Sequence, residues 1–271
     1  MSTRREGGAR RRDRSGGAGR LRRTLGSYGD QSRRVVYVAA EGARTEPDYF
    51  RLLNEVYGER GSGKMFRLHV CSPSHANGLR PEAVVEQVPA EADPDCEKWA
   101  FFDRDAADCR ETAIRKAMRR AAGHGVQVAL SHPSFELWLL LHFQPFTSQE
   151  NGLDGAVVDR LRRHRDAKGF ADYDRQSGER GKGVAGERGA SLLGREQTAV
   201  RNARKLVTDC PHGNCSPKGA DIGPIAPVQR DTYERWRRRT GHAAECDPLL
   251  RDPSTDVWRL VVALGIADGD A

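Results

Sequence analysis

Four short apolar runs, each followed by a stretch of helical period, constrain this chain more than any other feature. They are "VVYVAA" from Val35, "MFRLHVCS" from Met65, "EKWAFFDRD" from Glu97 and "VQVALS" from Val126. Near-continuous apolar strands alternating with helices predict a parallel sheet buried on both faces. After the first run, Thr45 reads as a helix N-cap, with Asp48 closing a capping box and Pro47 in the first turn. Phe50, Leu53 and Val56 then give a helical stripe up to Gly58. "PEAVVEQVPAEA", "ETAIRKAMRRAAGHG" and the strongly apolar "PSFELWLLLHF" supply three more helices. The expected body is an open α/β fold over residues 35–146, with helices on both faces of a mostly parallel sheet.

Residues 147–271 have another character. "LDGAVVDRLRRH", "SLLGREQTAVRNARKLV", "PVQRDTYERWRRR" and "TDVWRLVVALG" read as helices separated by polar loops, notably a Gly/Arg-rich one at about 176–190. They predict a helical C-terminal portion packed on the sheet or beside it. At the other end, residues 1–34 hold eleven Arg against Glu6, Asp13 and Asp30, a net +8 in a chain whose total is +7. The remainder sums to −1, so the basic character belongs to this arm. Too poor in apolar side chains to offset its ordering entropy, the arm is expected to be disordered. An Arg-rich arm commonly contacts nucleic-acid phosphate, a solubilising tail being the plainer reading. The arm lacks the apolar stretch of a secretory signal, and no segment has the length of a membrane span. The expectation is a cytoplasmic protein with reduced cysteines. Cys210, His212 and Cys215, with Cys246 as a further candidate, form the one suggestive cysteine cluster, but their spacing fits no standard zinc pattern. An ordinary loop is expected there.

Acids recur where the strands end. Glu41 closes the first run, with Glu46 one helical turn later; Asp103 and Asp105 close the third; the fourth runs through "SHPSF" into Glu136. Open α/β sheets place their sites at the carboxyl ends of strands. Alternation would point Asp103 and Asp105 the same way for as long as the strand persists. Any one of these acids alone is an ordinary helix cap. Five carboxylates facing one crevice repel, so either some stay protonated or a cation neutralises them. Mg²⁺ and Mn²⁺ prefer such oxygen donors and can orient water against a phosphodiester. "GERGSGKM", from Gly58, matches a phosphate-cradling loop only in its letters. A helix precedes it, a strand follows it, and Met65 stands where Ser or Thr is needed.

"EGARTEPDYF", "FFDRD" and "SHPSFELWLLLHF", in that order, resemble the RloB family of bacterial restriction and abortive-infection loci, related to AbiLii and other Toprim-fold proteins. The match spans most of residues 35–146 and continues weakly in "DYDRQ" and "DPSTDVWRLVVAL". The resemblance implies a Toprim-like fold in which Glu41 matches the glutamate after strand one, and Asp103 and Asp105 the later D-x-D. Glu46 fills the place of a second acid found in the overcoming-lysogenization type of Toprim nuclease, and Glu136 lies in an element typical of the family. The family usually has Asn where this chain has His132 and Asp252, and Lys where it has Arg175.

Together these readings imply an Mg²⁺- or Mn²⁺-dependent nuclease acting on RNA (tRNA included) or DNA in anti-phage defence. Asp103, Asp105, Glu46 and Glu136 are the candidate metal ligands. Glu41 is a ligand or the general base or acid, and Arg44, Arg104 and Arg175 are candidate phosphate contacts. A partner protein, a phage component or homo-oligomerisation is expected to control it. The alternative is a non-catalytic nucleic-acid-binding or phage-sensing subunit.

Overall fold

A computed structural model describes residues 34–59, 61, 66–71, 79–94, 96–104, 111–149, 153–175, 181–222 and 233–269. The arm up to residue 33, Asp105, residues 176–180 of the Gly/Arg-rich loop and the start of the "PVQRD" helix lie outside the described residues.

The four apolar runs become β1 (Arg34–Ala40), β2 (Phe66–Val70), β3 (Glu97–Asp103) and β4 (Gln127–His132). Helices α1 (Thr45–Tyr57), α2 (Pro81–Glu91) and α3 (Glu111–His124) connect them, and α4 (Phe135–Leu141) follows. The strands lie in the order β2-β1-β3-β4, all parallel. The chain steps from β1 to one side, then crosses back over β1 to place β3 on the other. Its direction therefore reverses between β1 and β3, and the carboxyl ends of those two strands flank the switch point.

Side-chain alternation sorts the core into two layers. Val36, Val38, Ala40, Trp99, Phe101 and Ala129 pack with α1 and α4. Ala39, Ala100, Phe102, Val128 and Leu130 pack with α2 and α3 on the other face. In α3, Ile114, Ala117, Met118, Ala121 and Ala122 make a one-sided apolar stripe, whereas every residue of α4 is buried. Asp103 continues the parity of Trp99 and Phe101, which directs it toward the α1/α4 face.

The C-terminal part adds α5 (Gly155–Arg163), α6 (Glu187–Leu192), α7 (Glu196–Thr208), α8 (Tyr233–Arg238) and α9 (Val257–Ala263). Val157, Leu161, Val200, Trp258 and Leu260 share the α1/α4 layer with the strands. This part also contributes β5 (Ser254–Thr255), an antiparallel edge strand on β4. Two residues with no apolar alternation give no strand signal, which is why β5 escapes sequence reading. No described helix is long and apolar enough to cross a membrane.

Three local expectations need correcting. Thr45 is the first helical residue of α1 and not its cap; Arg44 holds the cap position without a side-chain bond. The stretch from Ser191 is not one helix, because Gly194 turns left-handed (φ 78°) and separates α6 from α7. Part of the segment expected as loop, residues 187–190, is helical in α6.

Candidate functional site

The β1 strand hands over to α1 through Glu41-Gly42-Ala43-Arg44, and the backbone pins this corner to β3. The Glu41 amide donates to the Phe101 carbonyl at 2.9 Å. In return, the Glu41 carboxylate accepts from the Asp103 amide at 3.3 Å. The Asp103 carboxylate accepts from the Phe135 amide, at the start of α4, at 3.1 Å. Next along α4, Glu136 accepts a 2.6 Å hydrogen bond from the Tyr173 hydroxyl, which lies 2.8 Å from the Thr45 hydroxyl on α1. One residue on, Glu46 folds back to accept from the Gly42 amide at 3.1 Å. Backbone and hydrogen bonds thus run from Glu41 through Asp103, Glu136, Tyr173, Thr45 and Glu46 back to the residue after Glu41. The acids of three strand ends belong to one ring.

Within the ring they form two unlike pairs. Glu41 and Asp103 are partly exposed, whereas Glu46 and Glu136 are buried. Burial, reinforced by the negative charge of Glu136, pushes the Glu46 carboxyl up to about 7 against the opposing pull of backbone amides and Lys182. A Cβ on Gly42 would come within 2.3 Å of the Glu46 carboxylate, so a larger residue there would push that side chain aside. Burial works against a charged Lys182, yet Glu136, Asp174 and Asp154 outweigh it and hold its pKa above the ordinary value. Tyr173 is raised well above the usual phenol range, first by burial and then by Glu136, so it stays a hydroxyl donor.

A carboxyl moved from its ordinary 4.5 to about 7 costs about 3 kcal/mol to ionise in place. The folded state then binds more protons than the unfolded one between those values, so stability falls as pH rises through that window. In metal-free buffer the parent chain should lose up to that amount between pH 4.5 and 8, and Glu46→Gln should remove most of the slope. Denaturant midpoints at several pH values measure it; parallel slopes for the two proteins would refute the assignment. Tyr173→Phe should cost about 1–3 kcal/mol, because it strips a buried carboxylate of its hydroxyl donor. A midpoint unchanged by that substitution would show that Glu136 finds a substitute partner.

The other expected residues are more dispersed. Arg44 and Arg175 are exposed. Arg104 forms a 2.8 Å ion pair with Glu111. His132 is buried 3.9 Å from Asp252. Burial, aided by Arg104 and opposed by Asp252, holds its imidazole below the ordinary pKa. The sequence does not mark Tyr173 and Lys182 as site residues. The only signal was the family-like "DYDRQ" segment around Tyr173, and Lys182 gave none.

Among the described residues, the compact group of metal-ligating side chains is a separate one. Cys210, Cys215, His242 and Cys246 bring their ligand atoms within 4.8 Å of one another. The imidazole in this group is His242, not His212.

A family model described as RloB-like protein matches residues 36–264. No curated protein and no solved structure matches the chain.

Proposed function

Because the chain belongs to the RloB-like family, we propose that it is a divalent-metal-dependent nuclease. In this reading it hydrolyses phosphodiester bonds of RNA, tRNA included, or DNA in cytoplasmic defence against phage. The observation that carries the reading is the ring of acids at the β1/β3 switch point, with its partly exposed Glu41–Asp103 pair backed by the buried Glu46–Glu136 pair.

The donor set fits Mg²⁺ or Mn²⁺. Its ligand atoms are all carboxylate oxygens, and a cation would offset both the burial that chiefly raises Glu46 and the negative charge of Glu136 that adds to it. Glu41, Glu46, Asp103 and Glu136 would hold it, with Asp105 added on sequence alone. Such a cation supplies positive charge against phosphate and acidifies water. The rest falls to the protein. The Asp103 amide orients Glu41, and the Phe135 amide orients Asp103, so both carboxylates are fixed before substrate arrives. Glu46 is buried, so partly exposed Glu41 keeps the role of ligand or of general base or acid toward the attacking water. Tyr173 keeps Glu136 in place.

The burial of Glu46 and Glu136 favours one second reading, in which the ring is structural and the chain is a non-catalytic, nucleic-acid-binding or phage-sensing subunit. Labelled total tRNA, other RNA, and single- and double-stranded DNA, each incubated with Mg²⁺, Mn²⁺ or chelator, separate the two. Metal-dependent cutting of one polymer supports the nuclease. Tight binding of a polymer without cutting, in either metal and with a phage lysate added as trigger, supports the second reading.

A further inference from the structure

We propose that Cys210, Cys215, His242 and Cys246 form a structural Zn²⁺ site that staples together the two chain segments 209–216 and 240–247. It uses none of the residues of the nuclease reading, so the two stand or fall separately.

The four ligand atoms lie within 4.8 Å of one another, and the separations between Cys210 and Cys246, His242 and Cys246, and His242 and Cys215 suit a tetrahedral cage. With Zn–S near 2.3 Å and Zn–N near 2.0–2.1 Å, tetrahedral angles require about 3.8 Å between sulfurs and about 3.6 Å between sulfur and nitrogen. The Cys210 and Cys246 sulfurs lie 3.7 Å apart, and His242 Nδ1 lies 3.5 Å from Cys246 Sγ and 3.3 Å from Cys215 Sγ. All three cysteines are free thiols. The spacing also becomes regular once His242 replaces His212. Four residues separate Cys210 from Cys215, and three separate His242 from Cys246, which are intervals that zinc loops use.

Polar donors reach two of the three sulfurs. The Ala243 amide donates to Cys215 Sγ at 3.3 Å, and the Arg251 Nε donates to Cys246 Sγ at 3.3 Å. Arg251 is buried, and among the described residues its remaining hydrogen bonds go to the Thr240 hydroxyl and the Cys246 carbonyl. Three thiolates around Zn²⁺ would leave one net negative charge, and the Arg251 guanidinium, which also acts on the buried Asp256, would offset part of it from the outer shell. Soft thiolates select Zn²⁺ over the hard cations suited to the acid ring. Four protein ligands leave no open position, so the role is structural.

The backbone brings the two segments into contact independently of the cysteines. The Ser216 amide donates to the Gly241 carbonyl at 2.8 Å, and Ala220 bridges Thr240. Gly241 has φ 83°, and a Cβ there would sit 2.8 Å from the Ser216 carbonyl oxygen.

The test is metal analysis of the full-length chain, followed by Co²⁺ substitution. One zinc per chain should survive exhaustive dialysis. The Co²⁺ form should show intense tetrahedral d–d bands with sulfur-to-cobalt charge transfer. Cys246→Ser and His242→Ala should lose the bound metal, and His212→Ala should keep it in full. A weak octahedral cobalt spectrum without charge transfer would overturn the proposal. So would a metal-free folded chain after supply of Zn²⁺ under reducing conditions, or loss of metal in His212→Ala alone. If the cysteine or His242 variants do not fold, the cobalt spectrum of the parent chain decides by itself.

Discussion

The double variant Glu41→Gln/Asp103→Asn is expected to lose metal-dependent cleavage by about a thousandfold or more, with its unfolding midpoint unchanged. The size follows from removing two ligand charges that act together on the attacking water and the scissile phosphate. The intact fold follows from geometry. Gln keeps an oxygen that accepts from the Asp103 amide, and Asn keeps one that accepts from Phe135, so both bonds that seat these side chains survive. Both residues are only partly covered, so neither substitution buries a new unpaired group. Glu46→Gln should behave differently, altering stability and its pH dependence along with rate, because that carboxyl is buried. Parent-like cleavage by the double variant would remove the acid ring from the chemistry and leave the nuclease reading without its site.

The parts of this architecture that were legible in the sequence are those written in local pattern. Val36, Val38, Trp99 and Phe101 announce buried strands by their run of large apolar side chains, and Glu41 and Asp103 stand out because each ends such a run. The switch point was not legible, since no residue states that β3 returns to the far side of β1. Tyr173 and Lys182 were missed for a related reason. They reach Glu136 and Glu46 from a distant turn, and an isolated Tyr or Lys in a polar loop carries no period. His242 shows the same limit in sharper form. His212 was the neighbour in sequence, but the fold presents the imidazole from the far side of a long excursion. Arg259 is the opposite case, a charge inside "VWRLVVA" whose helix the sequence pattern shows and whose burial no local pattern announces.

That burial makes Arg259→Ala the substitution expected to harm the fold most, by about 3–5 kcal/mol. Arg259 is 1% exposed. Its guanidinium donates to the Gln127 side-chain oxygen at 2.9 Å and to the Val128 carbonyl at 3.3 Å, and lies 5.3 Å from the centre of the Trp99 ring. Asp256, buried nearby, is pushed up by desolvation and held down by Arg251 and Arg259, so losing Arg259 also strips it of a neutralising charge. Alanine would therefore orphan two buried acceptors, weaken the compensation of a buried acid and open a cavity over Trp99. Arg259→Lys should recover only part of the loss, since a single ammonium lacks the planar fork that reaches both Gln127 and Val128. These contacts grip the start of β4, whereas Ser131, His132 and the acid ring lie at its end. Urea midpoints should therefore drop sharply while metal-stimulated cleavage per folded molecule stays near the parent value. A loss below about 1 kcal/mol, the scale of an exposed ion pair, would mean that water or Asp256 rearranges to fill the site, and that α9 is held to the sheet by its apolar side chains alone.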